Sequence, residues 1–508
     1  MYRIPFGGVC LSPAVLIALL VTVGLAASAV PCSATSVAEV EIEEHHEVIV
    51  VGAGIAGLSA ATFLAEDGWE VLVLEKNDRP GGRTVSGQYR GVSYPLGTEY
   101  LGEPEGALQD LISLAGVDLL EIPAPMDAVY HDGEFHVGEA EITHLMVDQG
   151  GLEEFNDFAE TVMDVYSEME DNLPELTPLL AELDRISARQ WFAHSGFPQF
   201  YADKYNVTSI GLFGANLGEI SALSAIPEIG FDFEGFSPLD QEDLQDWEDE
   251  EQESSGAYSF AGGITDLTGA LAARLEERLR LQATVKQVVR MEEEGEEYFL
   301  VTYEDGSGGV HTLSSDAVVM AVPAPVALAI GEYALSEEQQ SLIAEIPFAP
   351  FVTAAFFSEE PIWEEAFDLA VPDGWFFTDV YDGTWMAKAA DPRVAESGVH
   401  IICVYIGPTS FANLAILNME DQELLDAVFG DLERLFPGVR DKVTGHAIHR
   451  FRYAYPIMTP GAYSRLARLN ELNREGVYLA GDWMLYPTFE AAAESGRLAA
   501  RGAAEYLD

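Results

Sequence analysis

Apolar and polar positions alternate between two periods along the chain. Short apolar runs rich in β-branched residues, at Glu47 to Val51, Glu70 to Leu74, Ala283 to Arg290, Asp316 to Pro323 and Val477 to Ala480, have the length and composition of buried strands. Helical spacing takes over from Leu58 to Ala65, across residues 153–203, from Ile264 to about Leu279, and from Glu490 onward. The runs Phe351 to Phe357 and His400 to Ile406 suit strands of a mixed sheet that could floor a cavity. Strand–helix–strand units beside a block of helices and mixed strands predict an α/β class with two cores. No internal repeat is found.

One stretch departs from both periods. From Ile4 to Ala38 no residue is charged, and Arg3 stands alone before it. Ala14 to Val30 is an apolar core that ends in small residues, with Ala27-Ser28-Ala29 as a cleavage site. It also approaches the roughly 20 residues that span a bilayer. Residues 1–38 therefore read as a secretory signal or a retained membrane anchor. Either places the folded part, from about Glu39, outside the cytoplasm, secreted or periplasmic.

Charge narrows the partners. Among 508 residues, 86 Asp and Glu face 25 Lys and Arg, a formal net charge of -61. Nucleic acid and docking on anionic lipid through a basic surface are disfavoured, because both need clustered cations. Such an excess of carboxylate must be solvated, and salt shortens the reach of its self-repulsion. The reading is a halophilic adaptation, with an acidic secreted protein of ordinary habitat as the alternative. Glu242 to Glu253 reads as a solvated acidic linker. In Thr444 to Tyr453, strand alternation puts His446, Arg450 and Arg452 on one face and His449 on the other. Pairing with surface carboxylates is the expected role of that cluster, attraction of an anionic substrate the other. The three cysteines, Cys10, Cys32 and Cys403, make no disulfide framework, zinc site or dithiol pair. Cys403 reads as an inert core thiol.

The chemistry begins where the first apolar run ends, in Gly52-Ala53-Gly54-Ile55-Ala56-Gly57. A helix and a second strand follow, and that strand ends at Glu75, eighteen positions past Gly57, next to Lys76. Gly52 allows a tight turn, Gly54 admits backbone to a pyrophosphate, and Gly57 lets helix and strand pack closely. The helix N-terminus offers free N–H groups to the diphosphate, and Glu75 can accept from an adenosine ribose. The unit predicts a dinucleotide site.

Arg79-Pro80-Gly81-Gly82-Arg83 follows directly, then Pro95-Leu96-Gly97-Thr98. With these segments the chain resembles the flavin-containing amine oxidase superfamily, which includes amine and amino-acid oxidases, protoporphyrinogen oxidases and carotenoid desaturases. The resemblance extends to Gly476 through Trp483 and to Phe489-Glu490-Ala491-Ala492, where the usual Glu-Gly-Ala is Glu-Ala-Ala. It implies a discontinuous Rossmann-like FAD-binding domain (39–104, 256–326 and 470–508) and a mixed α+β substrate domain (105–255 and 327–469). It also implies noncovalent FAD held by the glycine motif, Glu75, Lys76, Gly82, Arg83, Gly97, Thr98, Val285, Asp482 and Phe489. Trp483, Tyr486 and Tyr455 are the aromatic candidates to face the flavin, and no catalytic residue is assigned.

Many relatives place a lysine near flavin N5, in the strand before a Phe/Trp pair. None stands between Phe351 and Trp363 here, which weighs against amine oxidation with oxygen and toward dehydrogenation of an apolar substrate, as in desaturase-like relatives. The implied activity is oxidation of an amine, or dehydrogenation of a C–C or C–N bond in an apolar unsaturated compound, by hydride transfer to flavin. Oxygen or a quinone would take the electrons. The alternatives are a redox-neutral isomerase of an unsaturated lipid or carotenoid, and a flavin-binding protein without turnover. No metal-ligand pattern is seen.

Overall fold

Five parallel strands run side by side at the centre of the first sheet: Val477–Leu479, Val310–Met320, His45–Val51, Val71–Leu74 and Leu279–Arg280. The computed structural model describes residues 41–172, 176–233, 235–246, 255–372 and 374–508. The leader read at residues 1–38, with Cys10 and Cys32, lies outside the described residues, as do 247–254 of the acidic run. Gln241–Asp246, read as linker, forms a short helix.

The sheet draws on three distant stretches of chain because its strands are buried on both faces. Val48, Val50, Val71, Val73 and Val319 pack on one side with Leu58 and Leu271, while Ile49, Val51, Leu72, Leu74 and Met320 pack on the other. Such continuous apolar runs suit parallel strands covered on both sides. Helix Ile55–Glu66 lies against the C-terminal helix Phe489–Leu507, where the Ser59 hydroxyl donates to the Ala493 carbonyl at 2.6 Å. A Cβ at Gly496 would stand 2.2 Å from the Ala56 carbonyl oxygen, so small residues set this contact. Thr284–Glu293 and Glu296–Glu304 extend the sheet antiparallel from Val310–Met320. The helix read from Ile264 to Leu279 ends at Leu275. There the chain passes Glu276 at φ 42° and gives Leu279–Arg280 to the sheet edge beside Val73 and Leu74.

The second sheet has the order Val443–Pro456, Phe348–Ser358, His400–Ile406, Asp379–Asp382, Asp368–Ala370, Asp127–His131, Glu134–Val137. Phe348–Ser358 is buried along its whole length, so both of its faces are packed. Val352, Ala354 and Phe356 pack with Leu424, Val428 and Leu432 of helix Asp421–Leu435. Phe351, Ala355 and Phe357 look the other way, with Tyr381, Cys403 and Tyr405. That second face meets the first domain: the Tyr405 hydroxyl donates to the Gly97 carbonyl at 3.0 Å and Thr353 Oγ1 to that of Leu96 at 2.9 Å. A helical arm, including Gln199–Phe213 and Ala222–Phe231, lies beside it.

In the basic strand, Arg450 pairs with Asp421 at 2.7 Å and donates to the Met419 carbonyl, while His449 and Phe451 lie on the opposite face. Cys403 is buried, and burial pushes its thiol well above the ordinary range.

Candidate cofactor and substrate site

The three motif glycines meet three different surroundings. Gly52 has φ 101°, and a Cβ there would lie 2.5 Å from the Ala321 carbonyl oxygen. A Cβ on Gly57 would come within 1.9 Å of the Gly52 carbonyl oxygen, so only glycine lets the helix start this close to the strand. A Cβ on Gly54 would meet nothing within 4 Å. Open space over the N-terminus of helix Ile55–Glu66 is what a diphosphate needs, because the first N–H groups of a helix have no partner within it. Ala53, Ile55 and Ala56 complete the turn and are buried.

Glu75 is buried and ties the unit together: one carboxylate oxygen accepts from the Ala53 N–H at 2.8 Å, the other from both nitrogens of Asn77 at 2.9 and 2.6 Å. Its backbone meets the next piece of the cradle, for Ala283 N–H donates to the Glu75 carbonyl two residues before Val285. Lys76 is exposed and takes no part in these contacts. Gly82 has φ 59° and stacks a would-be Cβ 3.2 Å from Gly54 Cα. Gly97 packs so closely under Arg83 that a Cβ would lie 2.0 Å from the Arg83 carbonyl oxygen, and Thr98 follows it, half-buried.

Arg83 closes the cradle. Its guanidinium donates to both oxygens of Asp482, at 2.7 and 2.8 Å, and to the Ala454 carbonyl. Burial opposes the charge, but the Asp482 carboxylate outweighs it and holds the guanidinium protonated. Phe489, capped by Thr488, opens the C-terminal helix beside this pair. The open space at Gly54, the anchored Glu75 and the Arg83–Asp482 fork together fit an FAD, whose diphosphate Gly54 would admit and whose ribose Glu75 would hold.

The aromatic candidates separate. Trp483 is 1% exposed, and its indole N–H donates to the Val322 carbonyl at 3.0 Å, which places it in the core. Tyr486 lies toward the helical arm, where its hydroxyl donates to the Ser224 carbonyl at 2.7 Å. Tyr455 stands closest to the cradle, edge-on to Phe351 at 5.3 Å and within the field of Arg83.

Within electrostatic reach of Tyr455 begins a cluster of carboxyl groups that the motifs do not signal. Tyr100 lies within electrostatic reach of Asp127, Asp368, Glu228 and Asp379, and burial together with those carboxylates raises its hydroxyl well above the usual range. Burial lifts Asp127 to about 6 and Glu228 to about 7. Asp368 and Asp379 also rise through burial, and Asp368 further through its acidic neighbours. Asp127 is exposed to solvent. Both Glu99 oxygens are buried without a partner, and burial raises that carboxyl strongly. The cation in reach of Asp127 is Lys204, which already pairs with Asp232 at 3.2 Å.

Known proteins share this fold. Human amine oxidase [flavin-containing] B is 22% identical over 487 residues, covering 90% of this chain and 85% of that protein. A solved putrescine oxidase with putrescine bound superposes with a TM-score of 0.70 at 19% identity, covering 91% of this chain and 99% of that one. Cyclohexylamine oxidase from Brevibacterium oxydans gives 0.69 at 20%, with the same coverage. The chain matches the flavin containing amine oxidoreductases over residues 55–504; it belongs to that family and is an FAD-dependent oxidoreductase.

Proposed function

We propose that the protein oxidises an amine at the carbon next to nitrogen, with oxygen or a quinone as final acceptor. The observation that carries this reading is the cluster of carboxyl groups around Tyr100, reaching Tyr455 through Asp379. A cationic amine is the small molecule such a surface attracts, and its reacting carbon can then lie near Tyr455. When bound, FAD supplies the hydride acceptor, so that the C–N single bond becomes C=N; water then releases aldehyde and amine.

The chain's own residues do the rest. Asp379 gives the ammonium an acceptor, Tyr455 and Phe351 wall off water at the cradle end, and Arg83 fixes the segments that carry them. The amine substrates named for the relatives agree with this reading. The uncharged run Ile4 to Ala38 supports a place outside the cytoplasm, testable by immunoblotting of cell fractions.

The deciding experiment adds candidate amines and polyenes to the FAD-loaded protein without oxygen. Net bleaching of the flavin absorbance by amines is expected. Product formed without net bleaching would support an isomerase, and no change with any compound would support flavin binding without turnover.

A further inference from the structure

We infer that Glu99 is a proton relay: it takes the proton that an ammonium substrate must lose and passes it to a hydroxyl-lined cavity open to water. This rests on the amine-oxidising reading above and adds the route by which the proton leaves.

The chemistry sets the demand. Hydride leaves a carbon next to a neutral amine nitrogen, whose lone pair forms the new C=N bond. A substrate that arrives as R–CH2–NH3+ therefore loses a proton from nitrogen and a hydride from carbon, and departs as R–CH=NH2+. Both electrons go with the hydride to the flavin, and the proton needs a base in the protein. Tyr455 and Tyr100 do not serve, because burial pushes both hydroxyls up and keeps them protonated.

Glu99 is placed for this work. It directly follows Thr98 of the cradle, and the Gly97 carbonyl accepts from the Tyr405 hydroxyl of the second sheet at 3.0 Å. Glu99 thus lies where the two domains meet. Its charge reaches Tyr455, Cys403, Tyr381 and Asp368 on the strands packed against it, and none of these is a cation. Both carboxylate oxygens are buried without a hydrogen-bond partner. Burial alone raises this carboxyl toward the working pH, where a general base is most effective.

A cavity of about 30 Å³ adjoins it, room for roughly two waters. Glu99, Ser93, Thr98, Ser259 and Asp382 line the cavity together with Ala261, which is exposed, so the space opens to solvent. The Ser259 hydroxyl donates to the Glu99 carbonyl at 3.3 Å and the Ser93 hydroxyl to the Gly262 carbonyl at 2.7 Å. Each hydroxyl oxygen keeps lone pairs for a water. Asp382 gives the contrast within the same wall: Lys388 lies 3.1 Å from it and the Thr384 N–H donates to it at 2.8 Å, so its charge is compensated. Asp368 and Asp379 take hydrogen bonds from Tyr381 and Thr378 and do not line this cavity. Glu99 is the carboxyl that combines an unsatisfied side chain with an exit for its proton.

The test follows anaerobic bleaching of the FAD-loaded protein by n-butylamine and by benzylamine across pH. In the wild type, rate over dissociation constant should rise as Glu99 ionises and level off below the ionisation of the free amine. Glu99→Gln should instead track the amine, falling by at least about tenfold near pH 7 and rejoining the wild type near about pH 10. Glu99→Asp should recover part of the loss. Infrared spectra of the apoproteins titrated with base give a readout without turnover. A neutral-carboxyl C=O band should outlast those of the surface acids in the wild type and be missing from Glu99→Gln. Glutamine keeps the shape and removes a buried charge, so this variant should fold, and flavin absorbance and Tm verify it. A pH profile unchanged in Glu99→Gln, a rate lost equally at every pH, or an infrared band common to both proteins overturns the inference and leaves amine oxidation standing. Bleaching by neither amine overturns the amine-oxidising reading and this inference with it.

Discussion

Arg83 and Asp482, 399 residues apart, face each other through two hydrogen bonds of 2.7 and 2.8 Å. The same guanidinium holds the Ala454 carbonyl, so one side chain joins the glycine-rich segment, the closing motif and the end of the basic strand. Lysine cannot reproduce a two-pronged contact. Removing Arg83 leaves a carboxylate that is 3% exposed without its cation, a change that costs several kcal/mol when both partners are buried. The Arg83 side chain is 35% exposed, so solvent screening reduces the expected cost to about 2 kcal/mol. Arg83→Ala should lower Tm by several degrees and reduce bound FAD, with Arg83→Lys between it and wild type. Purified Arg83→Ala with full flavin content and unchanged Tm would show that the fork holds nothing.

Two glycines of one motif should fail in different ways. Gly57→Ala drives a methyl into the Gly52 carbonyl and must push the helix off the strand, so it should destabilise the apoprotein itself. Gly54 sits at φ -72°, which alanine adopts freely, and nothing stands near its would-be Cβ. Gly54→Ala should therefore keep the Tm of the apoprotein and lose FAD affinity by about tenfold or more, because the methyl enters the diphosphate space. Thermal unfolding of the apoprotein measures the first, and titration with FAD followed by tryptophan quenching the second. Equal FAD affinity in Gly54→Ala and wild type would mean that the open space is not where the diphosphate lies.

The buried carboxyl groups set a pH dependence whose sign is opposite to that of a salt-bridged acid. Burial raises the Asp379 carboxyl above its unfolded value, near 3.9. Between the two values the native state holds a proton that the unfolded chain has released, so stability is present at low pH and is lost as pH rises through the folded value. Asp379→Asn removes that loss. It should raise stability over wild type at pH 8, by an amount on the order of 2 kcal/mol, and leave it nearly unchanged at about pH 3, below the unfolded value. Scanning calorimetry of the apoproteins at both pH values decides it, and a variant less stable at pH 8 would show that the carboxylate is compensated in the fold.

The cradle was legible in the sequence because its signals are local. Gly52 to Gly57, the helix after them and Glu75 lie within one strand–helix–strand unit, and each glycine's role follows from the turn it must make. The acidic cluster was not legible, because Asp127, Asp368 and Asp379 are spread over 253 positions and meet only through strand pairing. Two of their strands are short, Asp368–Ala370 and Asp379–Asp382, and aspartate is poor in strands, so neither segment stands out as a strand. Trp483 shows the limit of motif reasoning. Its place next to Asp482 suggested the flavin, yet the tight turn at Gly481, φ 144°, sends the indole to the Val322 carbonyl in the core.

The net charge predicts a salt requirement. Ion pairs such as Arg468 with Glu338 and Arg393 with Asp391 use the few cations available on largely exposed sites, where each contributes at most about 1 kcal/mol. With 25 cations for 86 acids, most of the acids have no cation to pair with. At about 0.1 M salt the Debye length is about 10 Å, long enough for neighbouring surface carboxylates to repel, and at about 1 M it falls to about 3 Å. Folding concentrates those charges, so screening should favour the native state more than the unfolded one. Tm should climb steeply between about 0.1 and 1 M sodium chloride, and reversing a dozen exposed acids to lysine should flatten the climb. A Tm indifferent to salt over that range would remove the case for a saline habitat and leave an ordinary acidic secreted protein.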